Sequence, residues 1–225
     1  MFTIINLGTL PQNKFWGETA LVRTDISATC TLLEVGGHRL LVDPSPHPDR
    51  LETALFERSG LRPDAIDSVF VTHFHGDHRY GLGLFDDALW LMAEAGLEEW
   101  REKSPHESAI IDRFEAAEAH LPEGVELLPA PGHTPGLHVL RTRTPWGPLI
   151  IAGDAVMSRE YFDAEEGYMN SVDFEQAANT IRRIKRQATL VIPGHDNLIL
   201  NLPQDAGSPS SIYDVVSWRA LEPCY

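Results

Sequence analysis

Four short apolar segments of this chain are each followed closely by a histidine or an aspartate, and this pattern limits the fold more than any other feature. A glycine precedes the polar residue in three of the four cases. The segments with their polar residues are Ser68–Thr72 before His73, Val125–Pro129 before His133, Leu149–Ala152 before Asp154, and Leu190–Ile192 before His195. Loops at strand ends carry function on a rigid scaffold, so the repetition predicts that several strand ends meet at one reactive site.

The densest of these positions is the sequence that follows Thr72. Because side chains alternate along an extended chain, His73 and His75 project to the same side and can reach one metal ion. Gly76 permits a sharp turn, after which Asp77 and His78 can point to a second nearby position. Imidazole and carboxylate ligands suit zinc first, with iron or manganese as alternatives.

The order of the elements predicts an α/β fold in which two β-sheets form a sandwich with helices on its outer faces. A hairpin turns at Gly36 and Gly37. The predicted strands are Thr29–Val35, Arg39–Asp43, Ser68–Thr72, 88–92, Val125–Pro129, Gly136–Arg143, Leu149–Ala152 and Leu190–Pro193. The predicted helical regions are Arg50–Ser59 with Asp49 as its N-cap, Ala93–His120 with a break at Ser104 and Pro105, and a helix from Asp173 through Gln187.

Composition limits the class of partner. The 225 residues carry a net charge of −15, which disfavours binding to nucleic acid and leaves a small molecule as the expected substrate. Neither Cys30 nor Cys224 belongs to a C-x-x-C pair, and no segment reads as a signal peptide or a membrane span. We therefore expect one cytoplasmic domain over residues 1–225. The segment Tyr213–Tyr225, with Trp218, suits a homodimer interface as well as a core, so the oligomeric state stays open.

The motif His73-x-His75-x-Asp77-His78, followed by His133, Asp154 and His195, resembles that of the metallo-β-lactamase superfamily. The resemblance extends from about Thr29 to Asp196. It implies an αββα sandwich of two mixed sheets. It also implies one metal ion on His73, His75 and His133, a second on Asp77, His78 and His195, Asp154 bridging both, and Asp43 orienting a ligand imidazole.

Within the superfamily, the spacing of these residues is similar to that in the acyl-homoserine lactonases. Those enzymes have a tyrosine three residues after the bridging aspartate, where this chain has Met157. Tyr161 and Tyr168 are candidates to replace that phenol. A second resemblance, carried by Gly81–Phe85, is to the metallo-β-lactamase domain-containing protein 1 group, which implies hydrolysis of RNA.

These features predict a hydrolase in which a hydroxide bridging two divalent ions opens a lactone, an ester or a thioester. Asp77 is the predicted proton carrier for the leaving oxygen. Phosphodiester hydrolysis and oxidation of a thiol at a single iron ion remain as alternatives. The candidate residues for the substrate pocket are Phe15, Trp16, Tyr80, Phe85, Met157 and Tyr161.

Overall fold

Two mixed β-sheets lie face to face in the computed structural model, which describes residues 1–202. The six strands of the first sheet, in spatial order, are β1 (Phe2–Asn6), β2 (Cys30–Val35), β3 (His38–Val42), β4 (Ser68–Phe70), β5 (Leu89–Met92) and β6 (Phe114–Ala116). The five strands of the second sheet, in spatial order, are β11 (Ile199–Leu200), β10 (Leu190–Pro193), β9 (Gly147–Gly153), β8 (His138–Thr144) and β7 (Val125–Pro129).

Helices cover the outer faces of both sheets. The α-helices of the described residues are α1 (Pro48–Ser59), α2 (Glu94–Lys103), α3 (Ser108–Ile111), α4 (Arg159–Ala164) and α5 (Phe174–Gln187). Leu51 and Leu55 of α1 join the core on the outer face of the first sheet, and Ile181 and Ile184 of α5 join the core on the outer face of the second. The predicted αββα sandwich is thereby confirmed.

The central strands are apolar on both faces because each face is covered. On β4, Val69 packs into the outer core of the first sheet, whereas Phe70 packs between the sheets with Ile151 and Ile192 of the second. Strands buried on both sides have continuous apolar sequences instead of alternating ones. This is why the segments before His73, Asp154 and His195 stand out in the sequence.

The strand directions bring the functional residues to one edge of the sandwich. Strands β3 to β6 are parallel to one another, and β9 is parallel to β10. Because β7 and β9 are both antiparallel to β8, β7 also runs in the direction of β9 and β10. The carboxyl-terminal ends of β7, β9 and β10 therefore lie at the same edge of the second sheet.

The predicted elements differ from the structure in several details, and α4 and β11 were not predicted. The first helix starts at Pro48 and has His47 as its N-cap, with no side-chain capping bond, so Asp49 lies inside the first turn. The region predicted as mostly helical contains the strand β6, whose three residues are too few to show alternation. The strand β1, which pairs with β2 at the sheet edge, was not predicted.

No helix in residues 1–202 is both long and apolar enough to cross a membrane. The segment Tyr213–Tyr225 and Trp218, discussed above as interface or core, lie outside the described residues.

Candidate metal centre

Seven predicted side chains converge at the edge of the sandwich as two adjoining groups. Within each group, one ligand atom from every residue lies within 4.8 Å of the others. The first group consists of His73, His75, His133 and Asp154, and the second of Asp77, His78 and His195.

The nitrogens of the first group point at one another. His75 Nδ1 lies 2.9 Å from His73 Nε2 and 3.1 Å from His133 Nε2. Asp154 Oδ2 lies 3.4 Å from His133 Nε2. Zinc binds histidine nitrogen at about 2.0–2.1 Å with tetrahedral geometry, which separates ligand nitrogens by roughly 3.3 Å. The group is thus close to the spacing that a single ion requires.

The second group adjoins the other oxygen of the same aspartate. Asp154 Oδ1 lies 3.2 Å from His78 Nε2 and 3.4 Å from His195 Nε2. Asp77 Oδ2 is 3.5 Å from His195 Nε2. The two carboxylate oxygens of Asp154 therefore face different groups.

Close packing of glycine makes this position of Asp154 attainable. Gly194 comes directly before His195, and a Cβ on Gly194 would lie 1.9 Å from Asp154 Oδ1. Any side chain at residue 194 would displace the carboxylate. The glycine before the histidine is thus a packing requirement of the centre.

Buried polar atoms without partners indicate that the centre fits a cation. Among the described residues, His78 Nε2 and Asp154 Oδ1 are buried and make no hydrogen bond of acceptable geometry. Leaving such atoms unsatisfied costs about 1–3 kcal/mol each. A divalent ion between the imidazoles and the carboxylate would satisfy both atoms, and this set of donors is one that zinc accepts.

The two groups differ in protonation. Burial lowers the pKa of His73 and His75, and lowers the pKa of His133 to about 4, so these rings stay neutral with lone pairs available. Burial opposes charge on His78 and His195, but the neighbouring Asp154 carboxylate raises the pKa of both. Burial likewise opposes charge on Asp154, yet these two imidazoles hold its pKa well below the usual range.

Asp43 orients two of the imidazoles from outside the centre. Its Oδ2 accepts hydrogen bonds from His78 Nδ1 at 2.9 Å and from Thr72 Oγ1 at 2.9 Å, and its Oδ1 accepts one from Thr72 N at 2.8 Å. Thr72 Oγ1 in turn lies 3.1 Å from His73 Nδ1. Since the Thr72 hydroxyl donates to Asp43, it accepts from His73. Sequence reasoning missed Thr72, whose signal was its position directly before His73.

The amino-terminal segment orients the remaining imidazole of the second group. His195 Nδ1 lies 3.0 Å from the carbonyl oxygen of Ser27 and 3.2 Å from that of Thr9. Backbone carbonyls can only accept, so Nδ1 carries the hydrogen and Nε2 faces the centre. Sequence reasoning also missed this contact, because a backbone acceptor leaves no residue-type signature.

A cavity of about 320 Å³ opens onto the two groups. Its lining consists of Leu10, Pro11, Ile26, His75, Gly76, Asp77, Tyr80, Asp154, Met157, Tyr168, Asn170 and His195. Tyr80 and Met157 are the two predicted pocket residues in this lining.

The other predicted pocket residues lie elsewhere. Phe85 is fully buried in the outer core of the first sheet, where its carbonyl accepts from Trp90 Nε1, so its assignment to the pocket is wrong. Tyr161 is buried against Phe15, with their ring centroids 5.0 Å apart. Trp16 is exposed and donates to Glu160. Aromatic type alone cannot separate a cavity wall from a core residue.

Tyr168 reaches the cavity wall, but its hydroxyl hydrogen is already used. The hydroxyl donates to the carbonyl of Gln12 at 2.8 Å, and burial raises the pKa of Tyr168 to about 12. Toward the cavity this hydroxyl can therefore accept a hydrogen bond while the contact with Gln12 persists.

An αββα sandwich with paired histidine and aspartate groups at one edge has the features of a metal-dependent hydrolase. The sequence model of the metallo-β-lactamase superfamily matches residues 23–195. The chain belongs to the metallo-β-lactamase superfamily.

Individual relatives agree with this assignment. An N-acyl homoserine lactonase of Bacillus cereus is 29% identical over 158 residues, which cover 66% of this chain and 62% of that protein. The dizinc quorum-quenching lactonase AidC superposes with a TM-score of 0.62 at 18% identity, covering 75% of this chain and 72% of that one. The lactonase AiiA of B. thuringiensis, in a mutant with N-decanoyl-L-homoserine bound, gives 0.63 at 22% identity, covering 87% and 92%. The similarity to these two solved structures establishes the fold alone. The sequence match spans less than two thirds of the length of the Bacillus cereus lactonase.

Proposed function

We propose that the protein is a dinuclear metal-dependent hydrolase that cleaves a lactone, an ester or a thioester. The observation that carries this proposal is that the two oxygens of Asp154 face two different ligand groups. In our proposal His73, His75 and His133 hold one divalent ion, Asp77, His78 and His195 hold the other, and Asp154 bridges them. Zinc is the metal we propose first, since the donors are imidazoles and carboxylates.

Two bound divalent ions would supply a hydroxide near neutral pH and polarise the carbonyl under attack. The residues of the chain would hold and orient this chemistry. Asp43 and Thr72 fix the rings of His78 and His73 by the contacts described above. Asp77 lines the cavity and keeps 22% of its side chain exposed. We propose that it carries a proton to the leaving oxygen.

The cavity lining favours an uncharged acyl substrate. No arginine or lysine occurs among the described residues that line it, so nothing there would neutralise a phosphodiester or a carboxylate apart from the bound ions. Leu10, Ile26 and Met157 supply apolar wall. The Bacillus cereus relative is an N-acyl homoserine lactonase, which agrees with a neutral acyl lactone as the substrate.

The two alternatives from the sequence receive less support. For RNA, three of the four basic side chains of α5 are already engaged, with Arg182 and Lys185 bonded to Glu165 and Arg183 donating to the carbonyl of Pro129. In a thiol oxygenase with one iron ion, the second ligand group would have no metal ion to bind. Hydrolysis of a neutral carbonyl uses both groups.

Three further expectations remain predictions. We propose that residues 1–225 form one domain, and a cytoplasmic location still rests on sequence alone. A homodimer is a prediction that sedimentation analysis would decide.

Metal analysis combined with parallel assays tests the proposal. We expect the protein purified without added metal to contain two zinc ions per chain. We expect it to hydrolyse an acyl lactone faster than a glutathione thioester or bis-p-nitrophenyl phosphate. One iron ion per chain, or turnover of the phosphodiester alone, would contradict the proposal.

A further inference from the structure

Glu99 is a buried carboxylate that belongs to neither ligand group and does not line the cavity. It lies on the inner face of α2 and is 9% exposed. Its Oε2 accepts a hydrogen bond from the backbone N–H of Gly136 at 2.6 Å. Burying an ionisable group is costly unless it is hydrogen-bonded. The contact with Gly136 offsets part of this cost, and it links α2 to the segment that contains Gly136.

The partner of Glu99 belongs to the loop that carries His133. A hydrogen bond from Ala130 N to the carbonyl of Leu137, at 2.9 Å, closes this loop at its base. His133 lies within it, three residues before Gly136. A shift of Gly136 would therefore move the imidazole that completes the first ligand group.

The opposite side of the loop is fixed by α5 and the residues before it. Asp173 N donates to the carbonyl of Gly132 at 2.9 Å, and Thr180 Oγ1 donates to that of Pro131 at 2.7 Å. Val172 N donates to the carbonyl of His133 itself at 3.1 Å. The loop is thus held between α5 on one side and α2 on the other, with Glu99 supplying the side-chain hydrogen bond from α2.

The loop and α2 touch backbone to backbone at the point where Glu99 acts. A Cβ on Gly136 would lie 2.6 Å from the carbonyl oxygen of Ala95 and 2.8 Å from Gly96 Cα. The hydrogen bond from Gly136 N to Glu99 Oε2 is itself buried. Removing the Glu99 carboxylate would leave a buried N–H unsatisfied, and the loop would have to move to relieve it.

We propose that Glu99 is a positioning residue that sets the metal affinity of the first ligand group by holding the His133 loop in place. The inference rests on the metal-binding role proposed above for His133. In the present arrangement His133 Nε2 lies 3.1 Å from His75 Nδ1 and 3.4 Å from Asp154 Oδ2. Residues that orient metal ligands typically change affinity by about 10–100-fold when they are lost.

A matched pair of substitutions separates the hydrogen bond from the volume of the side chain. Glu99→Met fills similar space without an acceptor, whereas Glu99→Gln keeps an acceptor oxygen for Gly136. Glu98→Met is the control, because Glu98 precedes Glu99 on the same helix and is exposed. Thermal unfolding of the metal-free proteins reports whether each variant folds.

Zinc affinity is measured by competition with a chromophoric chelator. We expect Glu99→Met to weaken one bound ion by about 10–100-fold, Glu99→Gln by less than about fivefold, and Glu98→Met to match the parent chain. In a His133→Ala background, Glu99→Met should cause no further loss, since two residues acting through one group are not additive. Parent-like zinc affinity in a folded Glu99→Met variant would overturn the inference.

An equal loss of affinity with and without His133 would overturn it as well, because Glu99 would then act by another route. The same titration keeps the two proposals apart. A parent protein that binds a single ion would refute the dinuclear function, while the effect of Glu99 on that ion would still be measured.

Discussion

Asp43 Oδ2 and His78 Nδ1 are joined by a 2.9 Å hydrogen bond between two fully buried side chains. Asp43 also has a positive φ of 49°, which is uncommon outside glycine and costs of order 1–3 kcal/mol where it is strained. Because the fold holds the backbone of Asp43 in this conformation, its carboxylate lies where it orients the imidazole of His78.

Asp43→Asn should weaken metal binding. Both oxygens of Asp43 accept hydrogen bonds, so an amide would set one NH₂ group against a donor from Thr72 or His78. We expect a loss of about 10–100-fold in zinc affinity, measured by chelator competition. Asp49→Asn, at an exposed position in the first turn of α1, should have no effect. Unchanged zinc affinity in Asp43→Asn would show that the carboxylate is dispensable.

Asp77→Asn should separate metal binding from proton transfer. Turnover of an acyl lactone should fall by about 10²–10⁴-fold, because the alkoxide leaving group needs a proton, while much of the metal stays bound. A p-nitrophenyl ester needs no such proton, so its turnover should fall far less. If both substrates lose activity equally in steady-state assays, or neither does, Asp77 is not the proton carrier.

Metal affinity of the two groups should respond differently to pH. In the metal-free protein the pKa of His78 and His195 is raised by Asp154, so binding at the second group must displace protons, whereas His133 stays neutral down to about pH 4. As pH falls, zinc affinity at the second group should drop about tenfold per pH unit for each displaced proton, and affinity at the first group should change little.

Calorimetric titration in buffers of different ionisation enthalpy, at about pH 6, 7 and 8, measures these displaced protons directly. If zinc affinity changed equally with pH at both ligand groups, the proposed difference in protonation between the groups would be wrong.

Glu160→Ala should alter substrate binding without altering metal content. Glu160 accepts hydrogen bonds from Asn13 at 3.2 Å, Trp16 at 3.0 Å and Ser158 at 2.6 Å, and so holds the amino-terminal segment that brings Leu10 to the cavity. We expect KM for an apolar acyl substrate to rise by about 5–30-fold, as for the loss of roughly 1–2 kcal/mol of binding. Glu166→Ala, at an exposed ion pair with Lys14, is the control. A kcat loss with unchanged KM would count against this role.

The sequence allowed the centre to be predicted better than its surroundings. The seven side chains of the two groups are histidines and aspartates, which are residue types that bind metal ions. They follow apolar strands whose ends meet at one edge of the sandwich. Thr72, Glu99 and the carbonyl of Ser27 support those side chains, but their types are common and their partners are distant along the chain. Phe85 was misplaced because a core aromatic and a cavity aromatic have the same side chain.

The same reasoning applies to the elements. The hairpin at Gly36 and Gly37 and the strand Val125–Pro129 were predictable because turn residues and apolar runs mark them locally. The short strand β6 depends on pairing with β5 at residues far away along the chain. Its stability comes from tertiary contacts, which a local pattern does not record.

A crystal structure of the zinc-loaded protein, with anomalous diffraction measured at the zinc edge, tests the central claim most directly. Two anomalous peaks about 3.5–4 Å apart are expected, one at each ligand group, with one oxygen of Asp154 bound to each ion. A single peak, or both oxygens of Asp154 on the same ion, would contradict the account.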